Sequence, residues 1–379
     1  MDNTTHPNPV GIIRRYNMTN LIVTITDHAN YGNRLQNYAL QTLLSQYGDV
    51  TTAYMYLDMT SGLKKVIRTG KQIIRPLYAP FVDNKRSLEI KRRKHCNAFS
   101  KAYIHENDFT LSDYKGLSSK RGKQYNRVVI GSDQVWNPQW ISDRELALRL
   151  GSFVPDNVPI ISYAASIGST EVRKSTIPIF QKYLPRMRDI SVREFQGAEL
   201  IKSMTGLNAT VVLDPTLMID ADKWLKITND FVKKNDSYVL TYFLGKPSED
   251  QERTIQEYAK AHNCRVRRIL DLRDQETYIA GPQDFVELIS KAEYVFTDSY
   301  HACCFSMLFQ KQFTVFNRAS NQRIGNMNSR METLFQLFHL KSTMRDTGLA
   351  PAIDYEKVNH LLSAHRATSK KWLDSAMKA

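Results

Sequence analysis

Phe296-Thr297-Asp298-Ser299-Tyr300-His301-Ala302 closes an apolar run, Tyr294 to Thr297, with small and polar residues and a histidine before a second apolar run opens at Cys303. That order reads as a buried strand turning into a helix, with His301 presented at the turn. In an open parallel sheet, ligands sit in the crevice beyond the carboxyl ends of the strands. A helix that begins there offers N–H groups and a partial positive charge to an anion. The stretch therefore indicates both a fold class and a place to look for a site.

Working outward, Leu21 to Thr26 reads as a first buried strand, followed by a polar Gly-containing turn and a helix from Arg34 to about Tyr47. Further apolar runs at Thr52 to Leu57, Arg127 to Ile130, Ile160 to Ala164, Ile190 to Val192 and Thr210 to Leu213 are spaced widely enough to enclose helices. A fresh series follows: strands at Tyr238 to Leu244, Val266 to Leu270, Tyr294 to Thr297 and Phe313 to Phe316, with helices from about Glu249 to His262, from Pro282 to Lys291 and after His301. Such alternation predicts an α/β fold of two doubly wound parallel-sheet domains facing a cleft, resembling the two-domain glycosyltransferase architecture. The expected division is an N-terminal extension (1–20), an acceptor-side domain (21–228), a linker (229–237), a donor-side domain (238–330) and a helical C-terminal segment (331–379). No GxGxxG follows the first strand and no GxxxxGK[ST] occurs, which speaks against a dinucleotide or P-loop site.

Composition narrows the classes further. The 379 residues are 42% hydrophobic, ordinary for globular domains. The first twenty lack the apolar segment of a secretory signal, and no apolar run approaches the roughly 20 residues a spanning helix needs. A cytoplasmic protein is the expectation. Cys96, Cys264, Cys303 and Cys304 show no metal-ligand spacing and read as thiols, with Cys303 and Cys304 in a buried helix. No metal is expected.

With 52 basic and 38 acidic residues the formal charge is +14, which favours anionic partners. Basic residues crowd between Lys64 and Lys94, and Leu63, Val66, Ile67, Ile74 and Leu77 recur beside them at helical spacing. A basic amphipathic helix there could touch an anionic membrane at the inner face, or bury its stripe in its own domain as a solvated surface helix does. No recognition-domain signature points to nucleic acid.

Several short motifs recur at strand ends, in the order Asn30-Tyr31-Gly32-Asn33-Arg34-Leu35-Gln36, Gly131-Ser132-Asp133-Gln134-Val135-Trp136-Asn137-Pro138, Ser162-Tyr163-Ala164-Ala165-Ser166, Ser191-Val192-Arg193-Glu194 and Asp214-Pro215-Thr216-Leu217. With the His301 turn, this ordered set resembles the polysaccharide pyruvyl transferase family over roughly residues 28 to 318. The resemblance implies transfer of a pyruvyl group from phosphoenolpyruvate to sugar hydroxyls of a glycan or lipid-linked precursor, commonly as a cyclic ketal. No cofactor beyond that donor substrate is implied.

Phosphoenolpyruvate carries a carboxylate and a phosphate, and arginine suits both because its planar fork stays charged. Arg193, in the family-like Ser-Val-Arg-Glu motif, and Arg318 are the expected donor contacts, although Arg193 could instead pair with Glu194. Ser299 stands where some family members carry a further arginine, so another residue supplies that charge or the donor has fewer cationic contacts. His301 is the expected acid or phosphate partner, since imidazole exchanges a proton near neutral pH. Asp133 is the expected base for an acceptor hydroxyl, with turn or helix capping as its competing role. Asn30, Gly32, Asn33, Ser132, Trp136 and Ser166 are placed in the cleft. Trp136 there is either a platform for a sugar face or a buried aromatic. Asp214 reads chiefly as a turn former with Pro215. The alternatives to pyruvyl transfer are a nucleotide-sugar glycosyltransferase and a noncatalytic module binding acidic glycan or membrane.

Overall fold

A computed structural model describes residues 18–27, 29–54, 84–110, 125–234, 236–317 and 329–378. The expected basic helix over residues 63–77, most of the N-terminal extension and Arg318 lie outside these residues.

The strands are β1 (Thr19–Val23), β2 (Asp49–Tyr54), β3 (Glu106–Thr110), β4 (Arg127–Ile130), β5 (Ile160–Ala165), β6 (Met187–Val192), β7 (Thr210–Val211), β8 (Tyr238–Tyr242), β9 (Arg265–Ile269), β10 (Tyr294–Thr297), β11 (Phe313–Phe316) and β12 (Met344–Arg345). The helices are α1 (Tyr31–Leu44), α2 (Asn84–Tyr103), α3 (Asp143–Arg149), α4 (Ile177–Tyr183), α5 (Phe195–Thr205), α6 (Ala221–Leu225), α7 (Glu249–Ala261), α8 (Gln275–Tyr278), α9 (Pro282–Lys291), α10 (Tyr300–Leu308), α11 (Ser329–Leu337) and α12 (Tyr355–Lys378).

Two parallel sheets result, one of seven strands in the order β3-β2-β1-β4-β5-β6-β7 and one of five in the order β12-β11-β10-β8-β9. The α/β, double-sheet expectation is met. Strands β4, β5, β8 and β10 are buried along their whole length, as strands covered by helices on both faces must be. Each sheet reverses its winding once, between β1 and β4 in the first and between β8 and β10 in the second. Those reversals splay the following loops apart and open a crevice at the carboxyl ends.

The two halves share a core. Tyr31, in the first turn of α1, stacks on Phe285 of α9 at 5.1 Å and donates its hydroxyl to the Ala280 carbonyl at 2.8 Å. Trp224 of α6 meets Phe305 of α10 edge-on at 4.9 Å. Helix α12 then returns from the second half to the first. Its Tyr355 hydroxyl bonds the Ser306 carbonyl near the end of α10, while at its far end Arg127 of β4 donates to the Met377 carbonyl at 2.9 Å. Among the described residues no helix is long and apolar enough to cross a membrane.

Candidate active site

The loop after β4, the start of α1 and the β10–α10 turn converge at the two winding reversals. Asn30 is the N-cap of α1, accepting from the Asn33 amide at 3.1 Å, and Ser299 is the N-cap of α10. Two helix N-termini therefore end on one cavity of about 150 Å³, whose lining includes Asn30, Gly32, Asp133, Gln134, Trp140, Ser299, Tyr300, His301 and Arg330.

Asp133 holds a left-handed backbone at φ 70°, a conformation Asp tolerates better than most residues. Its carbonyl accepts from Val135 and Ser166 amides at 2.7 and 2.9 Å, which fixes the turn. The carboxylate is engaged on both oxygens: Oδ1 accepts from Arg193 at 2.7 Å and Oδ2 from the Asn33 side chain. Burial pushes this acid up, but Arg193, His301 and Arg330 more than offset it and hold the pKa down at about 2. A carboxylate so weakly basic and so fully engaged is better suited to positioning and charge balance than to the proton abstraction expected of it.

Arg193 is fully buried and lies between two carboxylates, donating to Asp133 Oδ1 and Asp214 Oδ2 at 2.7 Å each. Burial works against its charge, yet those two acids hold it protonated. Its guanidinium also sits 4.5 Å from the Tyr300 ring centroid. The pairing partners are thus Asp133 and Asp214 rather than Glu194, whose Oε1 instead accepts from the Ile167 and Gly168 amides. Arg193 is not among the residues that line the cavity. The expectation that it grips the donor gives way to a role beneath the site.

Asp214 does shape its turn, accepting from the Thr216 amide at 3.0 Å and hydroxyl at 2.8 Å. Its other oxygen binds Ser132 Oγ at 2.9 Å as well as Arg193, and lies 3.8 Å from His301 Nε2. His301 is the second residue of α10, not a residue ahead of it, and its Nε2 has no hydrogen-bond partner among the described residues. Burial lowers its pKa, Asp214 and Asp133 oppose that, and Arg193 and Arg330 reinforce it, so the free protein carries a neutral imidazole at physiological pH. Asp214 stands ready to accept its charge once a proton arrives.

Residues 30–320 match the family model described as polysaccharide pyruvyl transferase. The chain belongs to that family. No curated protein matches it. Solved structures that align over most of this pyruvyl transferase include MnaA of S. aureus with UDP (12% identity, 95% of this chain and 91% of that one, TM-score 0.46). Others are UDP-GlcNAc 2-epimerase from Neisseria meningitidis bound to UDP-GlcNAc (13%, 96% and 100%, TM-score 0.42) and E. coli ADP-heptose lps heptosyltransferase II (13%, 93% and 100%, TM-score 0.40). Likenesses this distant carry no weight for substrate or reaction, and the architecture rests on the strand orders.

Several cleft assignments in this pyruvyl transferase are corrected by the geometry. Trp136 is fully buried in the first core, its indole N–H on the Arg149 carbonyl at 3.1 Å, and cannot stack on a sugar. Trp140, four residues on, lines the cavity and is 56% exposed. Ser132, Asn33 and Ser166 are buried beneath the loop rather than in the lining. Gly32 and Asn33 lie inside α1, which begins at Tyr31, so Gly32 serves a close approach and not a turn. Cys303 and Cys304 are buried free thiols.

Arg330 is the addition that sequence reading missed. It sits in the first turn of α11, lines the cavity, and lies 3.8 Å from Asp133 Oδ1 and 6.0 Å from the Tyr300 ring centroid. No local motif marks it; the signal was an arginine at the start of an amphipathic stretch that follows a polar one. Among the described residues no cluster of His, Cys, Asp or Glu is arranged to hold a metal ion.

Proposed function

We propose that this pyruvyl transferase uses phosphoenolpyruvate as donor and leaves a cyclic ketal on a saccharide. The observation that carries the reading is the cavity of about 150 Å³ where the His301 imidazole, the Arg330 guanidinium and two helix N-termini meet. Its size suits a three-carbon phosphate ester better than a nucleotide sugar, since drug-sized ligands occupy roughly 300–1,000 Å³. Its donors suit an anion.

In this reading the neutral His301 gains a proton as the anionic donor enters, because added negative charge favours imidazolium. It delivers that proton to the methylene carbon, making a methyl group and leaving the adjacent carbon electron-poor. A sugar hydroxyl attacks that carbon and returns its proton to His301. Phosphate departs, and a second hydroxyl closes the ketal. The protons balance: of the two lost by the hydroxyls, one replaces the proton placed on the methyl group and the other leaves with phosphate. Asp214 steadies the imidazolium, and Arg193 keeps Asp214 and Asp133 charged without offering either as a competing base.

The saccharide has a natural berth beside this site. A larger cavity of about 940 Å³ lies between α2 and the loops after β8 and β9, and Leu244 lines both spaces. Trp140 at the mouth offers a ring for a sugar face.

The test is phosphate release from phosphoenolpyruvate by purified protein with a panel of soluble and lipid-linked saccharides, read together with acceptor mass. Acceptor-dependent release with a pyruvyl mass gain is the expected result. Transfer from a nucleotide sugar instead would replace this reading with the glycosyltransferase one.

A further inference from the structure

We infer that Arg330 is the residue that grips the anionic end of the donor, a role the burial of Arg193 leaves open. The inference rests on the phosphoenolpyruvate reading above and assigns a residue within it.

Of the described residues that line the cavity, Arg330 alone carries a permanent positive charge. Its setting differs from that of Arg193 in two respects. Arg193 has a carboxylate at 2.7 Å on each terminal nitrogen, whereas among the described residues the nearest carboxylate oxygen to Arg330 lies at 3.8 Å and is already held by Arg193. The close neighbour of Arg330 is a neutral amide: with the Gln134 carboxamide turned to present its oxygen, both terminal nitrogens of Arg330 donate to it, at 3.0 and 3.2 Å. Its Nε, like that of Arg193, is buried and has no hydrogen-bond partner among the described residues.

A guanidinium in that position is held but not neutralised. Burial, and then the like charge of Arg193, push its pKa down to about 10, so it remains charged at neutral pH while its charge is poorly compensated. An incoming carboxylate or phosphate supplies the missing countercharge. Gln134 orients the fork without competing for its charge, and the Tyr300 ring, shared with Arg193, bounds its movement. Sharing one ring also keeps His301, the next residue, beside the bound anion.

The experiment is calorimetric titration of the purified full chain with phosphoenolpyruvate, inorganic phosphate and pyruvate, paired with steady-state kinetics. Removal of a charge-assisted contact predicts about a 10- to 100-fold weaker affinity for phosphoenolpyruvate in Arg330→Gln, with KM for the donor raised more than kcat is lowered. Arg330→Lys, which keeps the charge but not the fork, falls between, and carries the test should Arg330→Gln melt early. Ser299→Arg placed on Arg330→Gln, reaching the same cavity from the cap of α10, restores part of the affinity. Loss of inorganic phosphate binding but not of pyruvate binding in Arg330→Gln assigns the phosphoryl end to Arg330, and the converse assigns the carboxylate. Folded Arg330 variants binding phosphoenolpyruvate within twofold of the parent overturn the assignment while leaving the donor reading intact. A parent protein that binds no phosphoenolpyruvate overturns both.

Discussion

Gly32 leaves open the space that the His301 ring occupies: a Cβ at position 32 would fall 2.1 Å from Nδ1, inside any permitted contact. The glycine belongs to the first half and the histidine to the second, so a side chain of one half fits against the bare backbone of the other. Position 32 is helical, where alanine is favoured over glycine by up to about 1 kcal/mol.

Gly32→Ala should therefore separate activity from folding. The ring must rotate or the halves must part, and a misplacement of about 1 Å can cost on the order of 100-fold in turnover. Melting temperature should change by only a few degrees. Kinetics and thermal unfolding on the same preparation check this; full turnover with the methyl group present would show that the ring is not held where the chemistry needs it.

The depressed His301 pKa makes two pH predictions. In the free protein the unfolded chain binds a proton at about 6.5 where the folded chain does not. The stability this group contributes is thus complete above that pH and is lost as pH falls through the folded value. Binding of phosphoenolpyruvate reverses the preference, so it should take up a proton near neutrality and weaken as pH rises. Titration calorimetry in buffers of different ionisation enthalpy measures the uptake. His301→Gln should abolish it and lower kcat/KM by about 10²- to 10⁴-fold.

Arg193→Gln should lose the fold before it reports on catalysis. It strands the buried Asp133 and Asp214 without their common partner, and breaking a buried ion pair from one side costs about 3–5 kcal/mol. Denaturant unfolding should show the loss at pH 7. The Asp133 share fades in acid, since its contribution is complete above the ordinary 3.8 and disappears as pH falls towards about 2.

The tryptophans should behave oppositely. Trp140→Ala should raise KM for the saccharide more than KM for the donor and leave the melting temperature nearly unchanged. Trp136→Ala empties a buried site and should cost about 3–5 kcal/mol in stability. Equal effects of the two on acceptor KM would refute the proposed sugar platform.

Periodicity located the elements whose burial is complete. Arg127 to Ile130, Tyr294 to Thr297 and Phe313 to Phe316 fall on β4, β10 and β11 residue for residue, because strands covered on both faces are mostly apolar runs. Two of the edge strands were illegible for the same reason. β3, Glu-Asn-Asp-Phe-Thr, and the two-residue β12 lie at the sheet margins, where no second neighbour demands an apolar pattern.

The site was legible where a motif sits at a strand end. His301, Ser299, Asp133 and Asn30 do reach one cavity. Side-chain direction was not legible. Trp136 and Trp140 share a loop with no periodicity to tell inward from outward, and Arg193 turns inward because Asp133 and Asp214, 60 and 21 residues away, meet it there. Arg330 lies 29 residues after His301, beyond β11, so only the tertiary fold brings the two together.

Helix α12 gives the cleft a mechanical property. The chain passes from the first half to the second ahead of β8 and returns along α12, anchored by Tyr355 at one end and by the Met377 carbonyl at the other. Two covalent crossings define an axis, whereas one would leave a swivel. With the shared core between the halves, the two crossings hold the Gly32 backbone and the His301 ring in one register.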